Sequence, residues 1–475
     1  MIKITCSKDL YTYNAYHLAR AFFPETNASV TTDPAQKEAV IFDIDGRHAA
    51  VSGNDPGNPV DKGIYLTLSS IAGKHLPWGM LTGVRPTKPA MNKLKEGFSR
   101  DDFIKWYGEE KFVSREKAGS AYDIAKTELE ILEAVEPEGK WRDTCSIYAG
   151  IPFCPSICSY CSFSLGRISD HEDKVDAYVD ALVRELAGTA EICRNKRIST
   201  VYIGGGTPTS LSSFQLERLL SAVNRFFPAA GLSEFTVEAG RPDSITKEKL
   251  EVIKAGGVNR ISINPQTMQQ KTLDAVGREH SVREVYEAFD AAREAGFDNI
   301  NMDLIAGLPG ETAADMEDTL DKVLALQPES LTVHALAIKR RAAMENQYVP
   351  GEEIYRMIDA AAQAASDAGL HPYYLYRQKS IAGNFENVGY AKPGKEGLYN
   401  ILAMEEVQSI FAVGAGTDTK VVLEQPVPNP SRRGKTGRIL RCSNVKSING
   451  YINDVEGMLE RKKCICSAGP AAKNF

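Results

Sequence analysis

From Cys145 onward, short β-branched runs alternate six times with amphipathic stretches, and this alternation constrains the fold more than any other feature of the 475 residues. Strands are expected over 145–149, 200–204, 234–238, 260–264, 299–304 and 331–336. Helical patterns cover 173–193, 214–227 and 282–295; in the last, Val282, Val285, Ala288 and Phe289 fall on one face. Repeated strand–helix alternation gives parallel strands joined by right-handed crossovers. The pattern predicts an α/β chain built on an open or partial (β/α)6 barrel, not two sandwiched sheets. In such a sheet, chemistry gathers at the carboxyl ends of the strands, where the connecting loops converge.

The flanks read differently. Residues 1–140 mix short segments with the turn-rich stretch Gly53-Asn54-Asp55-Pro56-Gly57-Asn58-Pro59, then the segment 80–88, then a charged helical region. They are expected to form a small accessory α/β domain ahead of a core at 141–340. Residues 341–475 are expected to form an α+β cap. It would hold a helix near 352–368, the aromatic run Tyr373-Tyr374-Leu375-Tyr376, a mobile loop over 425–441 and a last helix near 450–462.

Composition narrows the function. A formal net charge of -6 argues against a protein that depends on phosphate neutralisation, so no nucleic-acid partner is expected. No apolar run approaches the ~18 residues of a membrane span. The first residues show neither a signal core nor a presequence, so a cytoplasmic address is expected.

Nine cysteines are too few for a disulfide scaffold, and three of them crowd into eight residues: Cys154, Cys158 and Cys161, directly after the first expected strand. A structural zinc site closes its shell with four ligands. Three thiolates on one loop suit a [4Fe–4S] cluster with one iron left open, and zinc is the rival reading. Cys464 and Cys466 are expected to be free thiols near a flexible end. One strand–helix unit later comes Gly204-Gly205-Gly206-Thr207-Pro208-Thr209, whose glycines let the backbone approach a ligand.

The C-x3-C-x2-C triplet resembles the signature of the radical S-adenosylmethionine (SAM) superfamily. The ordered set from Tyr148 through 204–209, Glu238, Gln266, Gly277-Arg278 and Asp303 to Ala337 resembles its oxygen-independent coproporphyrinogen III dehydrogenase (oxidase) family, with later segments similar to the HemZ branch. The resemblance implies that Cys154, Cys158 and Cys161 hold a [4Fe–4S] cluster, and that SAM chelates its open iron. It further implies that Tyr148, Gly205, Glu238 and Ala337 contact the cluster-bound SAM. Tyr160, Gly206, Thr207, Gln266, Arg278 and Asp303 would fall at the family's second SAM position.

Implied partners are an anionic tetrapyrrole substrate and a reductase or flavodoxin-type electron donor; the oligomeric state is not implied. The implied reaction is oxidative decarboxylation of coproporphyrinogen III to protoporphyrinogen IX in haem biosynthesis. Two departures stand against a full match. Phe163 occupies the place of a further cysteine found in the dehydrogenases. Tyr399-Asn400-Ile401-Leu402-Ala403-Met404 keeps only the Asn of the His-Asn-x-x-Tyr-Trp signature of the related haem chaperones. A haem-transfer protein that retains the cluster, or a radical SAM enzyme with another substrate, are the alternatives. Candidate cations for the substrate's carboxylates are Lys339-Arg340-Arg341, Arg377, Lys379, Arg432, Arg433, Lys435, Arg438 and Arg441. Tyr373, Tyr374 and Tyr376 are candidates to pack on the macrocycle.

Overall fold

Six parallel strands occupy the middle of an eleven-stranded sheet: Thr144–Ile151, Arg197–Gly205, Glu234–Glu238, Arg260–Ser262, Ile300–Ala306 and Ser330–Ala335. They lie in sequence order, each parallel to its neighbours. This computed structural model describes residues 1–53, 59–337, 349–377, 385–428 and 436–467. The core strands are buried on both faces, as strands covered by crossover helices must be. Those helices include Val175–Ile192, Ser213–Phe226, Val282–Glu294 and Ala313–Ala325. Three of them open on reciprocal capping boxes, Ser212 with Gln215, Ser281 with Glu284 and Thr312 with Asp315, which fixes where each helix starts. The helix expected from 173 begins at Val175 because residues Ile168–Lys174 form a tighter 3-10 segment.

Both margins of the sheet come from the last third of the chain. Asn387–Ala391 runs antiparallel to the sixth core strand and carries His371–Tyr376 outside it. On the other side Ser409–Val413 lies parallel to the first core strand, followed by Asp418–Pro428 and Thr436–Ser443. Among the described residues no ladder joins the two outer strands, so the sheet stays open.

The expected loop over 425–441 is in its described part a hairpin. Val421 pairs with Leu440 and Val422 with Ile439, and this apolar pairing outweighs the local Pro and Gly content. The single helix expected near 450–462 is two helices, Ile448–Asn453 and Val455–Ser467. The second is anchored by Lys462, which pairs with Glu185 where both side chains are wholly buried. Tyr451, Asn444 and the Gly414 amide also donate to Glu185.

The first residues form a four-stranded sheet, ordered Ala28–Thr32, Ile2–Cys6, Val40–Ile44, Arg47–Val51, against two helices, with a core that includes Phe22, Phe42 and Tyr65. The helices Lys88–Lys95, Arg100–Lys111 and Arg115–Val135 instead place Met91, Phe103 and Ile124 in the same apolar core as the main sheet. Among the described residues no helix is long and apolar enough to cross a membrane.

Candidate active site

The first core strand ends at Ile151, and the cysteine loop that follows is clamped to the glycine-rich turn. The Gly206 amide donates to the Ile151 carbonyl at 2.6 Å and the Thr207 amide to the Phe153 carbonyl at 2.8 Å. Gly205 has φ +114, and a Cβ there would sit 2.8 Å from the Ile151 oxygen. At Gly206 a Cβ would come within 3.0 Å of the Cys154 sulfur. These glycines therefore bring two loops together as well as leaving backbone accessible.

Cys154, Cys158 and Cys161 line one cavity of 520 Å³ at the carboxyl ends of the core strands. Burial pushes the Cys154 thiol up to about 12, with the other two cysteines adding, so its thiolate is costly without a cation beside it. Two buried guanidinium groups donate to the Cys158 sulfur, Arg278 at 3.7 Å and Arg241 at 3.8 Å. Arg278 also donates to the Tyr160 hydroxyl (3.2 Å) and to the carbonyls of Gly240 (2.9 Å) and Asn264 (2.5 Å). Arg241 is fixed by Asp243 and Ser156.

Farther in, the Tyr202 hydroxyl donates to Glu238 Oε1 at 2.6 Å. Burial lifts the Glu238 carboxyl to about 7; Tyr202 opposes the rise and nearby Asp303 adds to it. Asp303 behaves oppositely. Burial works against its charge, but His334, Asn301 and Thr332 together hold it below the usual carboxylate range. Asn301 donates to Oδ1 at 2.7 Å and His334 Nε2 lies 3.8 Å from Oδ2.

The fourth core strand and its extension supply a row of polar groups. Arg260, Ser262, Asn264 and Gln266 alternate along the chain, and all four line the cavity. Arg260 Nε, Ser262 Oγ, Asn264 Oδ1 and Gln266 Oε1 are buried without a hydrogen-bond partner among the described residues. Gln266 also holds a left-handed backbone, φ 69, stitched to the fifth strand through the Asp303 and Ile305 backbones. Orphaned buried polar atoms and a strained residue at one surface mark a place made for a polar ligand.

Of the residues expected at the site, all but Thr207 line this cavity. Thr207 is fully buried, with its hydroxyl 3.2 Å from that of Thr209. Tyr202, Arg241, Arg260, His334 and Tyr399 also line the cavity and were not expected. Tyr148, Tyr202 and Tyr399 stack, with 4.6 Å between the last two ring centroids. For Tyr202 the signal was the period-two spacing of the strand, which puts it on the same face as Gly204; Tyr399 lies on helix Leu398–Glu405 and had no such signal. Tyr374 and Tyr376 face the cavity, while Tyr373 is buried with Ile401 and Leu402.

Among the candidate cations, Lys339, Arg340, Arg341, Lys379, Arg432, Arg433 and Lys435 lie outside the described residues. Arg377 is buried away from the cavity, donating to the Leu81 carbonyl at 2.9 Å and, from its backbone, to that of Val84 at 2.7 Å. Arg438 donates to the Leu423 carbonyl, also outside the cavity wall.

Residues 148–323 match the family model of the radical SAM superfamily. A protein of Bacillus subtilis (strain 168), the oxygen-independent coproporphyrinogen-III oxidase-like protein HemZ, is 39% identical over 84% of this chain and 79% of its own length. The chain belongs to the radical SAM superfamily, in its HemZ-like branch. The haem chaperone HemW of the same organism is 36% identical over 57% of this chain and 69% of its own. Coproporphyrinogen III oxidase (HemN) from Escherichia coli shares the fold, with TM-score 0.50 and 22% identity over 70% of this chain and 73% of that one.

Radical SAM proteins use a [4Fe–4S] cluster and SAM, and the site fits both. Cys154, Cys158 and Cys161 face one cavity together, a donor set of three thiolates that suits a cluster with one iron left open. The orphaned polar row and the paired acids Glu238 and Asp303 match a ligand rich in amino, carboxylate and hydroxyl groups.

Proposed function

We propose that this radical SAM protein carries out oxygen-independent oxidative decarboxylation of coproporphyrinogen III to protoporphyrinogen IX, as a cytoplasmic enzyme of haem biosynthesis. The observation that carries the reading is one cavity that holds the three cysteines, the acids Glu238 and Asp303 and the orphaned polar row together. The chain's similarity to HemZ over most of both lengths supports the same reading.

In this reading Cys154, Cys158 and Cys161 hold the cluster. Arg241 and Arg278 hydrogen-bond the Cys158 sulfur and offset its charge. Tyr148, Gly205, Glu238 and Ala337 bind the cluster-bound SAM. Tyr160, Gly206, Gln266, Arg278 and Asp303 serve a second SAM, to which Thr207 contributes only through its backbone. When bound, cluster and SAM would supply one-electron hydrogen-abstraction chemistry at a propionate β-carbon, with the reducing electron drawn from a reductase or flavodoxin-type donor. Loss of that hydrogen atom, of carbon dioxide and of one electron to an external acceptor would convert each propionate to a vinyl group. The stacked tyrosines Tyr148, Tyr202 and Tyr399 offer ring surface to the same cavity.

The similarity to HemW favours a second reading, a haem-transfer protein that keeps the cluster. Helix Leu398–Glu405, which carries the departure from the chaperone signature, lines the cavity through Tyr399, Asn400 and Met404. An anaerobic assay of the reconstituted protein with SAM, reductant and coproporphyrinogen III separates the two. The enzyme reading requires 5′-deoxyadenosine to rise with added substrate and a divinyl product to accumulate in step. Stoichiometric haem binding without substrate-dependent turnover would decide for the chaperone.

A further inference from the structure

A second cavity, of 340 Å³, adjoins the first, and Tyr148, Tyr399, Ala403 and Met404 belong to the walls of both. The rest of its wall gathers residues far apart in sequence: Arg85 from the segment 80–88, Glu406 just after helix Leu398–Glu405, and Asp418, Lys420 and Arg441 from the edge hairpin. Arg85 pairs with Glu406 at 2.6 Å and donates to the Met404 carbonyl. Lys420 donates to the Ala403 carbonyl at 2.7 Å and stands 3.9 Å from Glu406; Arg441 stands 3.5 Å from the same carboxylate.

The contacts to Ala403 and Met404 are those expected of cations at the carboxyl end of a helix. They do not account for Arg441, for the open volume or for the charge. Three cations face two carboxylates, Glu406 and Asp418, so the recess carries a surplus positive charge. Burial lowers the Lys420 ammonium to about 8; Glu406 opposes this, while Arg441 and Arg85 add to it. A partly buried cationic recess with room inside gains by taking in an anion.

We propose that this recess seats the carboxylate of a propionate that the reaction converts to vinyl, with Lys420 and Arg441 as donors and Arg85 as a fixed charge behind them. The proposal rests on the tetrapyrrole reading, whose substrate carries carboxylates around its rim. It also gives the segment 80–88 a task. Arg377 holds that segment against the cap by its bonds to Leu81 and Val84, and so delivers Arg85 to the recess.

The test uses the cluster-loaded protein and two stable porphyrins, coproporphyrin III with four carboxylates and mesoporphyrin IX with two, each titrated by absorbance. Arg441 is half-exposed, so Arg441→Gln should fold; Lys420→Met keeps the buried volume. Arg438→Gln removes a charge from the same strand outside the recess. Each recess variant should weaken the four-carboxylate probe about tenfold and change the two-carboxylate probe little, as loss of one charge-assisted bond requires. Arg438→Gln should change neither. No loss, an equal loss on both probes, or a matching loss in Arg438→Gln would overturn the seat and leave the tetrapyrrole reading standing. A wild-type protein that binds neither porphyrin would overturn both.

Discussion

Arg278 and Asp303 line the same cavity but form no ion pair: the arginine is held by Cys158, Tyr160 and two carbonyls, the aspartate by Asn301 and His334. Neither therefore holds the barrel together through the other. Asp303→Ala should leave the cluster spectrum intact and cut substrate-dependent turnover by at least ~10-fold, about 1.4 kcal/mol of transition-state stabilisation. Arg278→Ala should cut turnover and also perturb the cluster, since it removes a donor from the Cys158 sulfur. Normal 5′-deoxyadenosine yields from folded Asp303→Ala protein would refute its part in the site.

Replacing Cys154, Cys158 or Cys161 by Ala should each abolish the cluster's charge-transfer absorption, because the loop holds no spare thiolate. Cys464→Ala with Cys466→Ala should keep it, since both lie on the C-terminal helix Val455–Ser467, outside the cavity wall. A full cluster spectrum in Cys158→Ala would remove the assignment of that ligand.

Glu238 titrates near 7 in the folded protein, above its ordinary 4.5. Between those values the folded state keeps a proton that the unfolded chain has lost, so this group's contribution to stability is present at low pH and is lost as pH rises towards 7. Glu238→Gln should raise the melting temperature of the cluster-free protein at pH 8 relative to wild type. The gap should narrow as pH falls below about 5. A gap independent of pH would show that Glu238 does not titrate in this range.

Lys462→Met should leave the Glu185 carboxylate buried without its cation, a loss of about 3–5 kcal/mol by denaturant unfolding. Adding Glu185→Gln should restore much of it. Unchanged unfolding in the single variant would mean that the C-terminal helix is anchored elsewhere.

The core was legible because its signal is local. The strand expected at 234–238 is observed as Glu234–Glu238, and the other five moved only at their ends. The sheet margins were not legible. Asn387–Ala391 and Ser409–Val413 gain their places from the sixth and first core strands, far back along the chain, which periodicity within a window does not encode. The cysteines and Glu238 were found because motif order flagged them. Arg260, Ser262 and Asn264 escaped because polar side chains in a strand buried on both faces look like ordinary alternation until their missing partners are seen. Tyr399 reaches the cavity from a helix separated from the barrel in sequence and close to it in space.

Both neighbours of the first core strand follow it in sequence, Arg197–Gly205 soon after and Ser409–Val413 much later. During synthesis at ~5–20 residues per second, the ~260 residues between Ile151 and Val413 take roughly 10 to 50 seconds to emerge. For that interval the strand that leads into the cysteine loop has an unpaired flank. High contact order of this kind slows completion of the sheet and leaves an open edge on the nascent chain. A chain that stalls before residue 413 therefore carries its cysteine loop on a strand whose second neighbour has yet to be made.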